Sequence, residues 1–221
     1  MFNAIRVIVW KDLRAELRSR RLISAVGLFA LLAVLVFYFT LEGRRDILTG
    51  ALPSILWVII VFAGILGLTR SLAAEHERGT LDALLIAPIP RAALFYGKFI
   101  GNWLFTLLVA LIVAAALTLL FNVWLFDPAL WLVLFLGTLG FAAVGTLTGS
   151  LAIYADGRET TLPILVLPIA LPVLISSVRA TTDILNGLPF ADWSVWLPAL
   201  ISVDVIFLLL AFVLFDFIVE E

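Results

Sequence analysis

Cysteine is absent from this chain, histidine occurs once at His76, and the only methionine is Met1. The missing thiol excludes disulfides, thiolate metal sites and haem attached through Cys-x-x-Cys-His. Charge is scarce too: 14% of the 221 residues are Asp, Glu, Lys or Arg, against about 25% in an ordinary soluble domain. No Gly-x-x-x-x-Gly-Lys-Ser/Thr phosphate loop occurs, so any ATP that serves this protein is hydrolysed on another chain. One histidine on a charged loop supports no Ser/His/Asp set. The lack of a visible internal repeat weighs against an inverted-repeat secondary transporter. No cleavable signal is expected at the N-terminus, because the first apolar span is too long and no small-residue cleavage pattern follows it.

What is present is apolar. Hydrophobic residues make up 64% of the chain, and its mean hydropathy is +1.20. Too little polar surface remains to cover a soluble globule, and a net charge of −2 gives no argument for nucleic acid. The expected class is an all-α polytopic membrane protein with a single transmembrane domain over residues 1–221. Leu22 to Leu41 is uncharged over 20 residues, about 30 Å of helix and the thickness of a hydrocarbon core. Further uncharged runs follow at Ile47–Thr69, Phe99–Phe126, Pro128–Ala155 and Thr160–Val178, and a last apolar run starts near Pro198. These runs place six spans at 22–41, 49–72, 98–122, 129–154, 160–178 and 198–219. In the fourth, Gly137, Gly140, Gly145 and Gly149 would permit close helix approach, or simply reflect how common glycine is in membrane helices. In the fifth, Pro163, Pro168 and Pro172 remove three backbone donors, which predicts either a kinked or broken moving element or a merely bent helix.

Residues 2–20 form the next expected element. Phe2, Ile5, Val9 and Leu13 recur at helical spacing, with Lys11, Arg14 and Arg18 on another face and Trp10 beside them. Such a basic amphipathic helix reads as an interfacial elbow, with a soluble helix docked on a partner as the alternative. Residues 180–197 hold Asn186-Gly187, Pro189, Trp193 and Trp196, and predict an external, partly re-entrant or surface-lying segment. With six spans both termini share a side. If that side is the cytoplasm, 11 of the 14 basic residues lie inside and only Arg44, Arg45 and Arg179 lie outside, which satisfies the positive-inside rule.

The largest charged loop then faces the cytoplasm at 73–96. Gly79 ends the preceding helix, and Thr80 caps a short new one. Leu81, Leu84 and Leu85 share its face, and Pro88 and Pro90 stop it. A short apolar-faced helix of this kind suits a partner's groove, with Glu75, Glu77, Arg78 and Asp82 setting register.

The loop's wording, E-x-E-R-G-T-L-D-x-L-L-x-x-P closed by Gly97-Lys98, is similar to the coupling segment of ABC-2-type ABC transporter permeases. Together with K-D-L-x-x-E-x-R-S at Lys11–Ser19, it resembles the haem exporter B family of cytochrome c maturation across essentially the whole chain. The resemblance implies a homodimeric permease of a bacterial inner membrane, gripped at the loop by a separate ABC ATPase. It also implies other maturation subunits and a haem chaperone as partners. The complex would export haem, or release a haem-loaded chaperone, on the periplasmic side.

Chemistry borne by the chain itself is sparse. His76 stands alone at a helix end and reads as solvated or interfacial. Haem iron is held by His, Met, Cys or Tyr, and the membrane and outer face offer only Tyr38 and Tyr154. No cofactor is therefore expected on this chain: ATP belongs to the partner, and haem is cargo held by another subunit. Asp204 lies about two turns inside the last span. A carboxylate there marks either a proton or substrate pathway, or a hydrogen bond made near the outer surface. A proton-coupled carrier using Asp204 and a passive scaffold for a maturation complex are the competing functions.

Overall fold

The computed structural model describes residues 2–18, 20–77, 91–152 and 158–218. Regular structure within them is helical: α1 Phe2–Arg18, α2 Arg20–Leu41, α3 Arg45–Glu77, α4 Arg91–Phe121, α5 Pro128–Ala152, α6 Arg158–Leu185, the one-turn α7 Phe190–Trp193 and α8 Leu197–Ile218. A 3-10 turn at Ser194–Trp196 joins α7 to α8. Six stretches are long and apolar enough to cross a membrane: Ser24–Leu41, Ile47–Thr69, Ala92–Phe121, Pro128–Ser150, Leu162–Leu185 and Phe190–Leu210. Lipid offers no hydrogen-bond partners, so uncharged runs of this length must satisfy their own backbone as helices.

The spans are not equivalent. Those of α3 and α5 are each 72% buried within the bundle, whereas that of α2 is 17% buried. These two central helices meet through large side chains seated on glycines. A Cβ on Gly64 of α3 would collide with the ring of Phe141 from α5, and one on Gly145 of α5 would meet Leu68 Cδ1 of α3 at 2.5 Å. Gly137 of α5 is covered in the same way by the indole of Trp57. Residue numbers rise together on both sides of this seam, so α3 and α5 run parallel. Each supplies notches for the other's large side chains. Gly137, Gly140 and Gly145 of the fourth span are thus packing positions. Phe105 of α4 seats on Gly67 and joins α4 to the same core.

Polar side chains inside the bundle are mostly answered locally. Thr106, Thr138, Thr148 and Thr182 each return a hydroxyl to the carbonyl four residues back, at 2.7–2.8 Å. Other bonds cross between helices. Asn102 Nδ2 of α4 donates to Thr146 Oγ1 of α5 at 2.9 Å, and Trp57 Nε1 of α3 donates to Thr181 Oγ1 of α6 at 3.0 Å.

Helix ends follow from specific residues. Asp127 caps α5: its side chain accepts the N–H of Ala129 at 2.8 Å, and Pro128 takes the first helical position, where no donor is needed. Gly187, at φ +73°, ends α6. The Gly187 N–H bonds the Ile184 carbonyl and the Leu188 N–H bonds the Asp183 carbonyl, the paired bonds of a Schellman stop. The fifth span therefore runs to Leu185 rather than to residue 178. Arg179 does not end it, because that side chain is exposed and its charge stays outside the packed face. α6 also continues unbroken past Pro163, Pro168 and Pro172. Pro168 and Pro172 sit one turn apart on its exposed face, where their rings displace no packed neighbour. The stretch before the last span is a turn, one turn of α-helix and a 3-10 turn feeding straight into α8, without a re-entrant hairpin.

Gly145→Leu should force Leu68 out of its notch and cost about 1–3 kcal/mol, as overpacking does elsewhere. Size-exclusion melting in detergent is expected to show a lowered midpoint. Gly50→Leu, whose Cβ meets nothing within 4 Å, serves as the control.

Candidate functional site

α3 contains 33 residues, about 50 Å of helix, against a hydrocarbon layer of about 30 Å. Its uncharged part ends at Thr69, and eight more residues continue as helix to Glu77. α4 resumes at Arg91, also ahead of its densest apolar stretch. α3 therefore runs on past its uncharged stretch at the end of the bundle where α4 begins. Glu75, His76 and Glu77 lie on the last turn of α3. Arg78, Gly79, Thr80, Leu81, Asp82, Leu84, Leu85, Pro88 and Pro90 lie outside the described residues.

The elbow helix is clamped to the same end. Ile8 of α1 is 3% exposed, and it lies over Gly97 of α4, where an added Cβ would meet its Cγ2 at 2.7 Å. Leu94, Phe95, Phe99, Ala142, Ala143 and Leu147 complete this cluster. One turn along α1, Asp12 takes Lys98 of α4 at 3.7 Å and its neighbour Lys11 at 3.0 Å. Gly101 faces the Asp12 stem at 3.7 Å. Ile5, Val9 and Leu13 are half-buried, so the buried stripe centres on Ile8 rather than on the expected apolar series. Ile8, Asp12 and Gly97 were not legible as a set, because a notch 89 positions away leaves no periodic signal. Val7, Trp10 and Arg14 are exposed and available to headgroups, whereas the Arg18 side chain lies outside the described residues.

A second locus lies inside the bundle. Asp204 of α8 is 4% exposed, and neither of its oxygens has a hydrogen-bond partner among the described residues. The Oδ1 atom lies directly on Gly140, where any Cβ would meet it, with Val173 of α6 beside the same glycine. The hydroxyl of Ser177, fully buried one turn along α6, is likewise unpartnered and lies over Gly137. A hydrogen bond from Asp204 near the outer surface is therefore not found. The outer end has its own tie: Trp196 Nε1 donates to Asp183 Oδ2 at 2.8 Å, holding the 3-10 turn against the end of α6. Tyr38 packs its ring edge-on against Phe121 at 5.5 Å, and Tyr154 lies outside the described residues.

Comparison with known proteins bears on the whole chain. The family described as "CcmB protein" matches residues 3–216. The "Heme exporter protein B" of Rhodobacter capsulatus is 34% identical over 176 residues, covering 77% of this chain and 79% of the relative. The protein of that name from Bradyrhizobium diazoefficiens is 29% identical over 186 residues, 84% of either chain. Its counterpart in Pseudomonas aeruginosa is 25% identical over 201 residues, 90% of either chain. The match runs from the elbow helix through all six apolar helices into the far part of α8, and on that ground this chain belongs to the CcmB protein family.

Proposed function

We propose that the chain is the membrane permease subunit of an ATP-driven exporter in a bacterial inner membrane, serving haem export in cytochrome c maturation. The relatives' name supports the cargo class. The observation that carries the mechanism is the extension of α3 beyond its apolar span at the end where α4 begins and α1 is clamped. The sequence of residues 78–90, which joins these two helices, carries Leu81, Leu84 and Leu85 with flanking charges that suit an ATPase groove.

Force applied there has a short route into the bundle. A stroke on residues 78–90 displaces the end of α3, whose notches hold α5 through Phe141, Leu68 and Trp57. It also displaces the start of α4, and with it α1 through Ile8 and Asp12. α6 follows α3 through the Trp57–Thr181 bond. A push at one aqueous face thus reaches four core helices without passing through a soft element.

The distribution of 11 basic residues at that end against 3 at the other supports cytoplasmic termini and a cytoplasmic ATPase. The second ATP-driven half is supplied by another copy of the chain in a homodimer, with further maturation subunits and a haem chaperone at the outer face. We expect the iron to be held by another subunit, because the described spans offer it only tyrosines, Tyr38 and Tyr96. A passive scaffold would also belong to such a complex, but the packing that ties α3 and α4 to α1, α5 and α6 favours coupling.

Leu84→Asp or Gly79→Pro is expected to abolish co-purification of the ATPase, or its stimulation, with normal membrane levels of the permease. Unchanged assembly and turnover would refute the coupling role, and so would full function with a catalytically dead ATPase subunit. Gly97→Leu should lift Ile8 from α4 and lower coupled ATP turnover more than it lowers ATPase binding, measured as turnover per captured ATPase. Replacing Tyr38 and Tyr154 by Phe and His76 by Ala together should leave the haem content and haem spectrum of the complex unchanged. A lost or shifted axial-ligand band would place the iron on this chain.

A further inference from the structure

The clamp of α1 on α4 leaves the opposite side of the short helix unaccounted for. Ile8 lies over Gly97 of α4, and the Asp12 stem lies beside Gly101. Arg6 and Trp10 are each two residues from Ile8, and Arg14 is two residues from Asp12. All three are therefore turned about 200° away from the contact. Spaced by four, they share an arc of about 80° and form one stripe along the helix. Each is exposed, and so is Val7 beside them; Val7 and Trp10 are 66% and 67% exposed.

Charge on that side is of one sign. Asn3, Arg6, Val7, Trp10, Lys11 and Arg14 are the exposed residues of α1 among those described, and none is acidic. Asp12, on the packed side, is engaged by Lys98 and by Lys11. Arg6 and Arg14 meet no carboxylate among the described residues. Two guanidiniums thus lack an anion, and a large indole is set between them.

The place where α1 meets α4 selects the anion. The charged residues of α4 are Arg91 and Lys98, and from Phe99 to Phe121 there is none. Gly97 and Gly101, the two positions that α1 covers, straddle the point where charge stops. In a bilayer that point falls at the edge of the hydrocarbon, beside the headgroups. Tryptophan favours that layer, having an apolar body and an N–H to donate. Arginine there can hold a phosphate through two parallel N–H bonds while its stem lies along apolar surface. A second copy of the chain fits the stripe poorly, because a symmetric contact of this side with itself would set cation against cation.

We propose that Arg6, Trp10 and Arg14 form a binding surface for anionic phospholipids, each arginine taking a headgroup phosphate and the indole lying between the two. A zwitterionic headgroup also carries a phosphate, but its own cation cancels the charge that draws the lipid to a basic surface. α1 is then held from both sides, by α4 within the bundle and by acidic lipid outside it.

Tryptophan quenching tests this, with the full chain in nanodiscs that contain brominated phosphatidylglycerol or brominated phosphatidylcholine as a minor component. The Trp10 signal is the part of the emission lost in Trp10→Phe. A basic residue near an anionic surface favours association roughly fivefold, so phosphatidylglycerol should associate with Trp10 roughly 25-fold more tightly than phosphatidylcholine. Arg6→Gln and Arg14→Gln should each remove about a fivefold part of that preference, and together nearly all of it. Both side chains are exposed, so an unchanged melting midpoint is expected and separates lost lipid binding from lost folding. Equal quenching by the two lipids, or a preference that survives the double substitution, would overturn the proposal. So would a Trp10 that aqueous acrylamide quenches and neither lipid does, or one that added ATPase subunit shields from both lipids, since the stripe would then belong to water or to that protein. The lipid preference is read on the permease alone, so its failure is distinct from a failure of ATPase coupling.

Discussion

The parallel seam between α3 and α5 is the constraint on which the remaining architecture rests. In lipid no solvent pushes apolar helices together, so association depends on how closely two backbones approach and how well their side chains interlock. Glycines at 64, 137 and 145 provide that approach, and Phe141, Trp57 and Leu68 fill it. Because both helices donate and both accept, the register is fixed in two directions. A slide of one turn would place large side chains against large ones. α4 then docks on the pair through Phe105 at Gly67, and α6 through Thr181 at Trp57. α2, more peripheral, needs only a greasy surface, and only 17% of its span is buried within the bundle.

That seam also explains how a chain with so little polar material can have specific mechanics. A bundle held only by interchangeable leucines would yield anywhere. Here stiffness is concentrated where large side chains enter glycine notches, and helices are tied by single hydrogen bonds elsewhere. The long α3 belongs to the stiff part and also continues eight residues beyond its uncharged stretch, so one element joins the core to the charged end of the bundle.

The six spans were legible because charge in lipid is costly and the uncharged runs are long. Phe190–Leu210 shows the limit of that signal: the apolar stretch begins in a short helix and a 3-10 turn before α8 proper, a distinction that hydropathy does not carry. Arg179 suggested a boundary for the fifth span. The actual stop is made seven residues later by backbone bonds at Gly187, and the Asn-Gly pair was the better signal. The three prolines suggested either a kinked or broken helix or a merely bent one, and α6 stays a continuous helix through all three. The depth of Asp204 was readable from its distance to Pro198. Its isolation was not, since it depends on what three other helices withhold. The elbow's anchor was hidden for a similar reason: Ile8 is one apolar residue among several until Gly97 gives it somewhere to go.

The clamp between α1 and α4 has a consequence for the surrounding lipid. Ile8 and Asp12 fasten the short helix to its long neighbour, while Val7 and Trp10 project from it, both about two-thirds exposed. Whatever turns or tilts α4 must carry those outward-facing side chains with it, so the surroundings of α1 feel any movement of the longer helix.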